Sequence, residues 1–134
     1  MTEAYSGTPQ LKKLGIKPGV RLVVAAAAPD WSFAEPLEDV ERVSTGPTDV
    51  ALVFVRAAAE LDLAAWGHWI FPAGAVWVAW PRKAAGHVSD VDENAIRNAA
   101  LELGMVDVKV AAIDTDWSGL KIVWRKENRQ ILQH

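Results

Sequence analysis

Three short runs of this chain, Val20–Ala28, Val50–Val55 and Ala75–Trp80, are apolar almost without interruption, and segments of helical or turn character separate them. A strand with one wet face alternates polar and apolar residues. These runs do not alternate, so they read as strands buried on both faces. Such strands need layers packed on each side of a sheet, and their alternation with helices makes that sheet mostly parallel. The class is therefore α/β.

The remaining elements follow from local signals. Thr8-Pro9 opens a short helix that Gly15 stops, with Leu11 and Leu14 on its docking face. Lys17-Pro18-Gly19 turns the chain into the first strand. One helical turn is expected over Trp31–Leu37, and a weak edge strand over Val40–Val43. Arg56–Trp69 reads as a helix with Leu61, Ala65 and Trp69 on one stripe. Asp90 or Asp92 caps a second long helix that ends before Gly104, its buried stripe being Ile96, Ala99, Ala100 and Leu103. Met105–Ile113 and Leu120–Arg125 are the last strands. The link between them is too short for a parallel crossover, so they pair antiparallel.

A doubly wound, mostly parallel sheet finished by an antiparallel hairpin resembles the methyltransferase-like Rossmann fold. That resemblance implies the spatial order 40–43, 20–28, 50–55, 75–80, 120–125, 105–113. The 134 residues suit one domain, with an ordered core over about 5–125 and a polar tail, 126–134, that frays.

Composition narrows the function. With no cysteine, disulfide frameworks, thiolate zinc sites and cysteine nucleophiles are excluded. A net charge of −3 gives no general attraction to nucleic acid or to an anionic membrane. The first residues lack the basic and apolar regions of a signal peptide, so a cytoplasmic location is expected. Of the apolar residues 22 are alanine, which bury little area each, so the seven tryptophans must supply bulk.

Sequence motifs for chemistry are few. After the first strand, where a dinucleotide or S-adenosylmethionine site needs glycines for close backbone approach, the chain has Ala25-Ala-Ala-Ala28-Pro29-Asp30. The weak second strand runs into Val43-Ser44-Thr45, with no acidic residue at its end to hold a ribose. No phosphate-binding G-x-x-x-x-G-K-[ST] loop occurs. His68, His87 and His134 do not share a metal spacing. Asp114-Thr-Asp116-Trp-Ser118-Gly119 begins like a calcium loop, but its twelfth position is Arg125 and its flanks are strands, so a turn is the better account. Ser118 lacks the glycines of a nucleophile elbow. Asp90 and Asp92 are explained by helix capping. No cofactor, metal or catalytic residue is expected.

One constellation remains. Ligands of open α/β sheets bind outside the carboxyl ends of the strands, where strand order reverses. Residues following the strands include Trp31, Arg56, Trp80, Arg82, Lys83, Asp114 and Trp117. Such a rim suits a planar group carrying a carboxylate or phosphate. Trp66, Trp69, Trp77 and Trp124 are left as core.

Tyr5-Ser-Gly-Thr-Pro9, Lys12-Lys-Leu-Gly-Ile-Lys-Pro-Gly19, Val53-Phe-Val-Arg56, Trp77-Val-Ala-Trp-Pro-Arg-Lys83, Gly104-Met-Val-Asp-Val-Lys-Val110 and Trp117-Ser-Gly-Leu120 resemble a family of small proteins of high-GC Gram-positive bacteria, classed as a domain of unknown function. The resemblance runs from Tyr5 to about Arg125 and implies no activity, cofactor or catalytic residue. Where that family often has a glycine before Ala-Pro-Asp, this chain has Ala27. The expected function is a non-catalytic domain that binds a partner or small anion at the strand ends. One alternative is an enzyme, either a degenerate methyltransferase or an acid–base catalyst using Asp114 and Lys83. Another is a dimer formed through the edge strand 105–113, which carries Val106, Val108 and Val110.

Overall fold

The apolar runs become the inner strands of a six-stranded mixed sheet. A computed structural model describes residues 9–82 and 90–131. In chain order the elements begin with α1 (Gln10–Leu14), β1 (Arg21–Ala25), β2 (Glu41–Arg42) and β3 (Val50–Phe54). A 3₁₀ turn (Ala58–Glu60) precedes α2 (Leu63–Ile70), β4 (Ala75–Pro81) and α3 (Glu93–Glu102). The chain closes with β5 (Met105–Ala112), β6 (Trp117–Trp124) and α4 (Asn128–Ile131).

The strand order is β2-β1-β3-β4-β6-β5, the order expected from the sequence. β2, β1, β3 and β4 are parallel, while β6 is antiparallel to both β4 and β5. Strand alternation sorts the core into two layers. Val23, Ala51, Val53, Val76, Val78, Trp80, Leu120 and Ile122 face α2 and α3. Leu22, Val50, Leu52, Phe54, Trp77 and Ala79 face α1 and the irregular segment that carries Trp31, Phe33, Leu37 and Val40. No helix among the described residues is long and apolar enough to cross a membrane.

Tertiary hydrogen bonds override several local expectations. The Trp31–Leu37 segment forms no helix. The Ala34 N–H donates to the Gln10 side chain (2.7 Å), and the Glu35 carboxylate accepts from the N–H groups of Gln10 and Leu11 (3.2 and 2.8 Å). Glu35 thereby serves the exposed donors at the start of α1 from 24 residues away. Thr8, the expected cap, lies outside the described residues. The helix expected from Arg56 starts only at Leu63. The Arg56 N–H donates to Glu60 and the Ala58 N–H to Asp90, and Asp62 caps α2 through the Ala65 N–H. The buried face of α2 is consequently Leu63, Gly67 and Ile70, not Leu61, Ala65 and Trp69.

Asp92 caps α3 through the Ala95 N–H at 2.9 Å, and Gly104 takes the left-handed conformation beyond its end. Ile96 and Ala100 are buried as expected, whereas Leu103 is exposed. Beyond Lys126 comes α4, where the Asn128 side chain donates to the Gly104 carbonyl (2.8 Å) and Arg129 to the Trp124 carbonyl (3.1 Å). At the opposite edge from β2, β5 carries a bulge between Asp107 and Lys109, and its Ala112 carbonyl accepts from Lys13 (3.0 Å). Both features blunt an open edge.

Candidate ligand site at the strand carboxyl ends

β1 leaves the sheet through Ala26, an alanine held in the left-handed region (φ 64°). The turn continues to the Trp31 N–H, which donates to the Ala28 carbonyl (2.9 Å). Trp31 then stands edge-on to both Phe33 and Phe54, at centroid distances of 4.8 and 4.9 Å. Phe54, at the end of β3, also meets Trp117 edge-on at 4.9 Å. Two of the expected rim tryptophans therefore share one buried phenylalanine.

Asp114 locks this cluster. One carboxylate oxygen accepts from the N–H groups of Asp116 and Trp117 (2.8 and 2.9 Å), closing the turn into β6. The other accepts from Trp31 Nε1 at 2.9 Å. The calcium-like string is thus a turn whose first carboxylate serves main chain and indole. No group of metal-ligating side chains forms among the described residues.

Two of the three expected cations are engaged on carbonyls. Arg56 donates from Nη1 to the Ala26 carbonyl (2.9 Å), and its guanidinium lies 5.3 Å from the Trp117 ring centre. Arg82 donates to the carbonyls of Asp114 and Thr115 (3.3 and 3.4 Å). Trp80 is not on this rim. It is buried in the layer facing α2 and α3, because β4 sends Val76, Val78 and Trp80 to one face and Trp77 and Ala79 to the other. Lys83 lies outside the described residues. Trp77 and Trp124 are core as expected, while Trp66 and Trp69 are half-buried and packed edge-on against each other at 5.3 Å.

Two clefts open beside this braced rim. One, of about 380 Å³, is walled by Val24, Ala26, Ala27, Ala28, Trp31, Ser32, Phe33 and Arg42. The other, of about 490 Å³, lies among Val23, Val24, Ala25, Val43, Ser44, Trp66 and again Arg42. Arg42 is exposed, lines both, and has no hydrogen bond or ion pair among the described residues. Arg42 is not among the rim residues expected from the sequence. Its signal was position: it ends the second strand, where the fold resemblance looks for an acidic residue.

No family model and no curated protein matches the chain. Its site must be read from its own chemistry. A carboxylate or phosphate fits Arg42 as a bidentate partner. Ala26, Ala27 and Ala28 after β1 form one small-residue wall of the first cleft, and Trp31 and Phe33 offer larger apolar ones.

Proposed function

We propose that this chain is a non-catalytic binding domain with a Rossmann-like, doubly wound sheet, whose anionic ligand or partner docks where β1 and β2 end. The observation that carries the reading is the contrast among the cations. Arg56 and Arg82 each hold main-chain carbonyls through Nη1, whereas the Arg42 side chain lies between two clefts with no partner among the described residues. Phe54, Trp117 and Asp114 brace Trp31, which walls the first cleft.

Methyl transfer fits less well. Its cofactor is cationic at sulfur and its ribose is held by an acid, whereas an arginine stands at the end of β2. The alanines after β1 also keep a Cβ at each position that a glycine loop would clear.

The test is thermal denaturation with inorganic phosphate, citrate, acyl phosphates, nucleotides and S-adenosylmethionine. A specific ligand at a hundredfold excess over its Kd stabilises by about 2.7 kcal/mol. The shift should occur with anions and vanish in Arg42→Glu. A shift that survives Arg42→Glu and is lost in Arg56→Gln would move the site to the rim. A flat response to every compound would overturn the reading.

A further inference from the structure

The outer edge of β1 is open over its last residues. β2 pairs only with Arg21 and Leu22, and the final main-chain bond runs from the Val43 N–H to the Leu22 carbonyl (2.9 Å). Peptide groups of a strand alternate in direction. The Arg21 carbonyl accepts from Asp49, on the β3 side, so Leu22 and Val24 direct theirs the opposite way. Val24 therefore points its N–H and C=O to a side where the described sheet has no strand. One step further the strand ends at the left-handed Ala26, whose carbonyl accepts from Arg56.

Val24 also lines both clefts, which lie on opposite faces of the sheet. Ala27, Trp31 and Phe33 of the first belong with the α1 layer, and Val23 and Trp66 of the second with the α2–α3 layer. A compact molecule fills one cleft. An extended peptide sends consecutive side chains to opposite faces, so two clefts flanking one open edge match a strand. Arg42 stands at the end of β2, in line with such a strand, and would pair with its carboxylates.

We propose that the β1 edge at Val24 accepts an extended acidic peptide segment of a partner protein by strand addition. The proposal rests on the anion-binding reading for the role of Arg42, and adds the chemical class of the ligand. Two main-chain bonds, to the N–H and C=O of Val24, set the register. Side chains in the two clefts and the ion pair to Arg42 set the preference.

The absence of cysteine makes a tethering experiment clean. Ser44→Cys, exposed on the second cleft, carries the sole thiol. It is equilibrated in a thiol buffer with acetyl-Cys-Val-Glu-Val-Glu-Val-amide. Parallel arms use the lysine analogue, two forms N-methylated on one or the other alternating set of amides, and 3-mercaptopropionate as a small anion. The glutamate peptide should be trapped about tenfold over the lysine peptide. One N-methylated form should lose the advantage and the other keep it, because a strand bonds along one edge through alternate amides. Val24→Pro, which removes the outward N–H, should reduce trapping relative to Val24→Ala, which also gives up the valine's packing but keeps that N–H. Equal trapping of both N-methylated forms and the parent, or preference for 3-mercaptopropionate, overturns strand addition and leaves anion binding at Arg42 standing. Equal trapping of glutamate and lysine peptides, with no anion-dependent thermal shift, overturns both.

Discussion

If the Trp31–Asp114 bond braces the rim, its removal should cost stability in a way that a double-mutant cycle isolates. Asp114→Asn keeps an oxygen for the Asp116 and Trp117 N–H groups but turns an amide NH₂ toward Trp31 Nε1, donor against donor. A hydrogen bond to a charged acceptor contributes about 1.5–3 kcal/mol, and both residues are half-buried, so water recovers part of it. About 1.5 kcal/mol is expected for Asp114→Asn. With an unfolding entropy of about 2.1 cal/mol/K per residue, 134 residues give about 0.28 kcal/mol/K, so the melting temperature falls by about 5 °C. Trp31→Phe removes the same donor together with part of the contact to Phe33 and Phe54. The two changes should therefore be non-additive, with a coupling of about 1–1.5 kcal/mol. Urea unfolding followed by far-ultraviolet circular dichroism, with a common m-value, measures each corner of the cycle. Additivity within about 0.3 kcal/mol would refute the tie and leave the cleft wall without its brace.

Three further changes probe the rest of the molecule. Ala26→Gly relieves a left-handed alanine, worth about 1–2 kcal/mol, against a glycine entropy cost of about 0.5–1 kcal/mol, so thermal melts should show a small gain in stability. Gly74→Ala places a Cβ at 2.8–2.9 Å from the carbonyl oxygens of Thr48, Asp49 and Ile70; as backbone cannot yield cheaply, urea unfolding should register a loss of about 3 kcal/mol or more. Burial, then the neighbouring Lys109 charge, lowers the pKa of Lys13 from its ordinary 10.5, with Glu35 opposing. The folded state thus releases this proton before the unfolded chain does, and stability gains an increment as pH rises toward 10.5. Unfolding titrations of the wild type and Lys13→Met should converge on that increment, and a pH-independent difference would contradict it.

The sheet was legible because its information is carried by residue type along each strand. Val50–Val55 and Ala75–Trp80 are apolar at every position, and both are buried nearly throughout. The short link before Trp117 dictated the antiparallel hairpin. Helix limits were less legible, since they depend on which distant side chain claims a backbone N–H. Asp90 and Glu60 hold the amides of Ala58 and Arg56, and the alanine-rich start of the expected helix stays outside α2. The same competition, through Gln10 and Glu35, keeps Trp31–Leu37 irregular. Trp80 was legible in principle: counting in twos from Val76 along β4 assigns it to the α2–α3 layer.

The candidate site turns on a distinction that side-chain patterns do not record. Arg42, Arg56 and Arg82 are chemically alike, and each follows or ends a strand near the same end of the sheet. What separates them is the supply of main-chain acceptors. The left-handed Ala26 and the turn closed by Asp114 turn their carbonyls toward Arg56 and Arg82, and Nη1 of each guanidinium is held by the fold itself. No such turn meets the Arg42 side chain among the described residues, and the chain leaves the sheet just after β2. The brevity of β2 also uncovers the edge of β1 at Val24. An additional residue pair between β1 and β2 would cover that edge. A variant that lengthens β2 by such a pair should be more stable than the wild type and trap an extended peptide less well.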